Sequence, residues 1–197
     1  MTDKDAIVNL LPPKSDPEAE TLRKLVEDCI AGKGQEQRRF FERFAPGIFN
    51  VIKRYVYDTG TAQELLNDSF VKIFMRLRQY SWQGPIEAWM RRIAINTITD
   101  HLRRYLKEVK AGKIDFEDIR VDAYVDNEAV SNLSFKELMK YVHKLSPMQR
   151  MIFNLHVFES LTHGEISTLL SISEGNSRWI LNDARKTLKQ QILKRKK

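Results

Sequence analysis

Apolar side chains recur every three or four residues along almost the whole of this 197-residue chain, and no stretch alternates apolar and polar residues as a half-buried strand would. The sequence therefore predicts an all-α protein, and the breaks in the pattern set its helices. Residues 1–15, with Pro12 and Pro13, read as a flexible lead-in. A first helix is expected from about Pro17 to Ala31, with Leu22, Leu25, Val26 and Ile30 on one face. A second, about Gln35 to Tyr57, carries Phe40, Phe41, Phe44, Ile48, Ile52 and Tyr55, with a kink or break expected at Pro46-Gly47. The third should open at a capping box, Thr61 to Glu64, and run to about Arg78 along Leu65, Leu66, Ser69, Phe70, Ile73, Phe74 and Leu77. Gly84-Pro85 starts a fourth, reaching about Tyr105, with Ile86, Trp89, Met90, Ile93, Ala94, Ile98 and Leu102 facing inward. Residues 16–105 thus read as one helical domain.

The composition then changes abruptly. Asp115, Glu117, Asp118, Asp122, Asp126 and Glu128 are opposed only by Arg120, which makes 106–133 an acidic linker. A second helical domain, 134–197, opens on a capping box from Ser134 to Glu137, with Leu138, Tyr141, Val142 and Leu145 as its face. Ser146-Pro147 with Gln149 starts the next helix, leading Met151, Ile152, Leu155 and Phe158. Thr162 and Glu165 form another capping box before Ile166, Leu169 and Leu170. After the break at 171–175, Ser177, Leu181, Ala184 and Leu188 share one face and leave Asn176, Arg178, Trp179, Asn182, Arg185 and Lys186 pointing elsewhere. This is the pattern of a helix-turn-helix whose second helix could lie in a DNA major groove. Taken alone, the segment fits a helical hairpin that binds no DNA equally well.

Charge favours a polyanionic partner. The net charge is +7 and the pI near 9.5, and from Arg178 onward eight residues are basic against a single acid, Asp183. Other functions lack their residues. Ile7–Leu11 is too short for a secretory segment and no window approaches a membrane span, so a soluble, cytoplasmic protein without membrane insertion is expected. Cys29 falls on an apolar face and reads as a small buried hydrophobe. His101, His143, His156 and His163 have no metal-ligand spacing, and neither a phosphate-cradling loop nor a nucleophile elbow occurs. No metal, cofactor or enzymatic activity is expected.

On the fourth helix, Arg92, Asn96, Thr99 and Arg103 form a polar, basic line, with Arg91 and Arg104 beside it. Such a line can be a solvated face. Just before that helix, Tyr80, Trp82 and Gln83 stand in a loop; aromatic rings interleaved with arginine suit unstacked bases of single-stranded DNA, and core packing of Trp82 is the competing reading.

These stretches together resemble a bacterial extracytoplasmic-function (ECF) sigma factor, the minimal two-domain class of promoter-recognition subunits of RNA polymerase. The resemblance runs from about Gln37 to Leu193. Residues 61–70 (TAQELLNDSF) are similar to the family's D-A-E-D-L-x-Q-E-x-F, and Trp89-Met90, Ile93-Ala94, Asn96, Asp100 and Arg103 to its W-L-x-x-I-A-x-N-x-x-x-D-x-x-R. Leu145, Arg150 and Phe153, then Thr162, Glu165, Ile166, Leu170, Ser173, Gly175 and Asn176, follow its C-terminal pattern. Ser171 stands where the family has a turn glycine, and Ile180 and Asp183 where many members have arginine.

The resemblance implies a non-catalytic subunit that directs core RNA polymerase to promoter DNA and helps melt it, under an anti-sigma factor. Core polymerase would dock on Glu64, Asn67, Asp68, Phe70, Val71 and Phe74. The minus-10 element would meet Tyr80, Trp82, Gln83, Trp89, Arg92, Asn96, Thr99 and Arg103. The minus-35 element would meet Glu174, Asn176, Ser177, Arg178, Asn182, Arg185 and Lys186. A free-standing helix-turn-helix regulator is the alternative.

Overall fold

A computed structural model of the chain describes residues 17–110 and 133–194. The lead-in, the acidic stretch at 115–128 and the last three basic residues lie outside them. Among the described residues there are eight α-helices and no strand: α1 (Pro17–Ile30), α2 (Gly34–Tyr55), α3 (Thr59–Arg76), α4 (Ile86–Lys110), α5 (Leu133–His143), α6 (Pro147–Val157), α7 (His163–Leu170) and α8 (Glu174–Lys194). A single 3-10 turn, Leu77–Gln79, follows α3.

In the first half, α2, α3 and α4 pack on one another and α1 lies along α2. Phe40, Ile52, Leu65, Ile73, Met90 and Ile98 fill the space between them, and each is almost wholly buried. Of the kink or break expected at Pro46-Gly47, the break does not occur: helix α2 continues through both residues. Pro46 and Gly47 lie on its exposed side while Phe44, Ala45 and Ile48 are buried on either side of them, so the packed face holds the helix where one backbone donor is missing. Cys29 is buried against this core. Desolvation first, then the charges of Glu36 and Asp28, push its thiol up to about 11, so it stays a protonated hydrophobe.

The start of α3 also differs from expectation. Its N-cap is Asp58, whose Oδ2 accepts from the Thr61 backbone N–H at 2.6 Å, so Thr61 and Glu64 lie inside the helix. Asp58→Ala should cost about 1 kcal/mol of stability, read as a lower urea midpoint at unchanged slope. An unchanged midpoint would refute the cap.

The second half is α5 to α8, with α8 packed on both α6 and α7. The box at Ser146–Gln149 and that at Thr162–Glu165 each make both reciprocal bonds. Ser134 does not open α5, which already includes Leu133. At the C-terminal end of α7, Ser171 takes a left-handed conformation with φ 56°, supplying the turn where the family has glycine. Helix α4 extends five residues past the expected boundary, so 106–110 are helix rather than linker. The two halves are not apart: α5 and α6 lie against α2, and α7 lies against α4.

Candidate polymerase and nucleic-acid interfaces

Helix α3 offers the clearest unpartnered face. Leu65, Leu66, Ser69, Phe70 and Ile73 point inward, which turns Glu64, Asn67, Asp68, Val71 and Met75 outward at helical spacing. Val71 is 58 % exposed and Met75 77 %. Phe70, expected on this surface, is instead buried. Its ring packs against Phe41 at 4.5 Å and Phe74 at 6.0 Å, because α2 needs an aromatic there to close the core. Phe74 is half-buried, also against Phe40. Met75, which the sequence reading left out, completes the patch.

The loop before α4 holds an aromatic cluster. Tyr80 lies 4.9 Å from Trp82 and 5.6 Å from Trp89 between ring centroids, and its hydroxyl donates to the Gly84 carbonyl. The Arg23 guanidinium sits over Trp82 at 5.2 Å. Trp82 has φ 61°, a conformation that a bulky side chain rarely takes, and it and Gln83 are exposed. The rings pack on one another, yet Trp82 stays exposed and does not enter the core.

The polar line on α4 is interrupted. Arg92, Asn96 and Arg103 are exposed, but Thr99 is buried with its hydroxyl donating to the Ile95 carbonyl at 2.9 Å. A threonine whose own helix satisfies its hydroxyl can enter a core, so its polarity misled. Arg103 is engaged with the other half: its Nη2 donates to the Leu169 carbonyl and, at 3.3 Å, to Ser171 Oγ. Arg92 and Asn96 line a cleft of about 1270 Å³ between the halves, walled by Arg43, Arg91, Phe158 and Thr168.

Charged groups close that cleft at its base. Glu159, only 5 % exposed at its side chain, approaches Arg91 Nε at 2.7 Å and Arg54 Nη1 at 3.6 Å, while Tyr55 lies buried beside it. Burial first, then the charge of Glu159, pushes the Tyr55 phenol upward. Arg54 also lies over the Phe158 ring at 5.3 Å, and its carbonyl accepts from Asn154 Nδ2 at 2.7 Å. Neither Glu159 nor Asn154 stood out in the sequence.

In the helix-turn-helix, α8 exposes Glu174, Asn176, Arg178, Asn182, Arg185 and Lys186. Ser177, expected to contact DNA, is wholly buried, and its Oγ lies 2.9 Å from His163 Nδ1 on α7. That bond fixes one helix of the motif on the other. Arg178 is paired with Glu174 at 2.6 Å. Ile180 belongs to the core, and Asp183 Oδ2 accepts from Gln149 Nε2 at 2.6 Å. The two departures from arginine thus anchor α8 to its own domain.

Comparison with known proteins decides the family. The Sigma-70 region 2 model matches residues 40–108 and the Sigma-70 region 4 model residues 135–188, more than half of the chain together. The chain belongs to the ECF family of RNA polymerase sigma factors. This sigma factor is 25 % identical over 179 residues to the ECF RNA polymerase sigma factor BldN of Streptomyces coelicolor, covering 89 % of this chain and 67 % of that one. It is 23 % identical over 153 residues to the ECF RNA polymerase sigma factor SigM of Bacillus subtilis, covering 76 % and 90 %. Its fold is similar to that of the sigma factor RpoE of Bartonella quintana, solved with the anti-sigma factor NepR: TM-score 0.53 at 17 % identity, over 80 % of this chain and 96 % of that one. Region 2 of the sigma factor takes in most of α2, α3 and nearly all of α4; region 4 takes in the helix-turn-helix. Among the described residues no helix is long and apolar enough to cross a membrane, and no group of three or more side chains could hold a metal.

Proposed function

We propose that this sigma factor divides its work in initiation among three surfaces. The face of α3 made by Glu64, Asn67, Asp68, Val71 and Met75 docks on core RNA polymerase, with Phe74 at its edge and Phe70 supporting it from within. Tyr80, Trp82, Gln83, Trp89, Arg92, Asn96 and Arg103 receive the opened minus-10 strand, rings stacking on bases and guanidiniums on phosphates. Asn176, Asn182, Arg185 and Lys186 read or grip the minus-35 duplex, joined by Glu174 and Arg178 once their mutual ion pair parts. The protein acts by binding, in the cytoplasm with the polymerase, and carries no catalytic step of its own. Like the Bartonella RpoE solved with NepR, it is restrained by an anti-sigma partner.

The observation that carries this reading is the outer face of α3. Val71 and Met75 are the large apolar side chains that α3 leaves in water, flanked by carboxylates, on a helix whose opposite face already has a full core. Placing a carboxylate there, as Val71→Asp with Met75→Asp, should weaken capture of core polymerase at least tenfold and abolish promoter-dependent transcripts, with the helical circular dichroism unchanged. Arg185→Ala with Lys186→Ala should spare core capture and lose promoter selectivity. A free-standing regulator would behave otherwise, binding DNA tightly without polymerase and ignoring both aspartates.

A further inference from the structure

Helix α8 buries Ser177, Ile180, Leu181, Ala184 and Leu188. The positions diametrically opposite are Gly175, Trp179, Asn182 and Lys186, spaced four, three and four residues apart in a single outward ridge. Arg178 lies to one side of that ridge, already paired with Glu174. Trp179 therefore stands at the centre of the helix's outer face, in the N-terminal turns that enter a groove. It is 66 % exposed, by far the largest apolar surface that these turns present. A Cβ built on Gly175, one turn nearer the N-terminus, would meet nothing within 4 Å, so the indole stands clear of that turn and the space beside it is open. The ring thus has room to lie flat at the tip of the reading head.

We propose that Trp179 is a specificity residue for the minus-35 element, holding its indole against the C5 methyl of a thymine in the major groove; this rests on α8 being the recognition helix. In the major groove only thymine offers a methyl, while the other bases present donors and acceptors that an apolar ring leaves unsatisfied. Asn182 and Lys186 continue the ridge and suit adenine and guanine edges or phosphate, so the indole selects the base at the near end of the site.

The test uses holoenzyme reconstituted from core polymerase and the full chain, with a duplex library randomised over the minus-35 region. The wild type should enrich a site with thymine at one invariant position. Replacing that thymine by deoxyuridine deletes only the methyl; it should weaken the wild type about fivefold and leave Trp179→Ala indifferent, with Trp179→Phe close to wild type. Equal loss in the wild type and in Trp179→Ala, or no position sensitive to the methyl, overturns the inference while α8 remains the reading helix. So does weaker core capture by Trp179→Ala without DNA, which would turn the ring toward polymerase. Failure of the wild type to enrich any minus-35 sequence overturns the assignment of α8 itself, and the role of Trp179 with it.

Discussion

Replacing Glu159 by alanine should spring the two halves of this sigma factor apart. The carboxylate is almost completely out of water and faces two arginines that belong to the other half, Arg54 on α2 and Arg91 on α4. Without it, a closed molecule would hold Arg54 buried beside Arg91 with no counter-charge. Removing one partner of a buried ion pair costs about 3–5 kcal/mol, because a charge is stranded rather than because a strong bond is lost. The side chain of Arg91 is 38 % exposed, so water screens part of that charge and the lower end, about 3 kcal/mol, applies. The cheapest escape is to rehydrate both guanidiniums by separating α6 from α2, a shift of roughly a hundredfold in the closed-to-open ratio. Small-angle scattering should then report a larger radius of gyration for Glu159→Ala at neutral pH. Glu42→Ala, which removes only an exposed pair with Arg38, should leave the radius unchanged. Equal radii for the Glu159 variant and wild type would show that the remaining contacts, among them Asn154 to the Arg54 carbonyl and Arg103 to the Leu169 carbonyl, keep the halves closed without the ion pair.

The closed arrangement also explains why some of the candidate surface was legible in the sequence and some was not. Every helix announced itself through its buried face, since a period of three to four residues survives whatever the helix packs against. Thr162 and Ser146 were readable as caps because their partners lie three residues away. Asp58 was not, since an acid ahead of Thr59-Gly60 looks like a turn as much as a cap. Phe70, Thr99 and Ser177 show a different limit. Their neighbours Val71, Asp100 and Arg178 are exposed, and one step around a helix separates water from core. A phenylalanine in a family motif, and hydroxyls that the fold satisfies with Ile95 and His163, carry no local mark of that step. The contacts between the halves were invisible for a plainer reason: Arg54 and Asn154 are 100 residues apart, and nothing near either of them names the other.

Acid should loosen the same junction, with His143 as its sensor. The ring lies edge-on to Tyr57 at 5.2 Å, joining the end of α5 to the link between α2 and α3. Its Nδ1 is 3.3 Å from Arg150 Nη1, and a guanidinium can only donate, so Nδ1 must accept and the imidazole is held neutral. Burial first, then the positive charges of Arg150 and Lys53, lowers its pKa from 6.5 to about 4. Above pH 6.5 the ring is neutral whether or not the protein is folded, and its contribution is complete. As pH falls from 6.5 toward 4 the unfolded chain binds a proton that the native site refuses, so stability declines through that window, by at most about 3 kcal/mol, and levels off below it. Burial shifts His101 and His163 the same way, adding to the slope. Asp58 and Glu165, whose carboxyls are held low by bonds from Thr61 and Thr162, lose their contributions only at more acid pH. His143→Gln keeps an acceptor for Arg150 and removes the titration. Urea midpoints between pH 7 and 4.5 should therefore fall less steeply in that variant than in the wild type, and an identical slope in the two would assign the acid response to the other histidines.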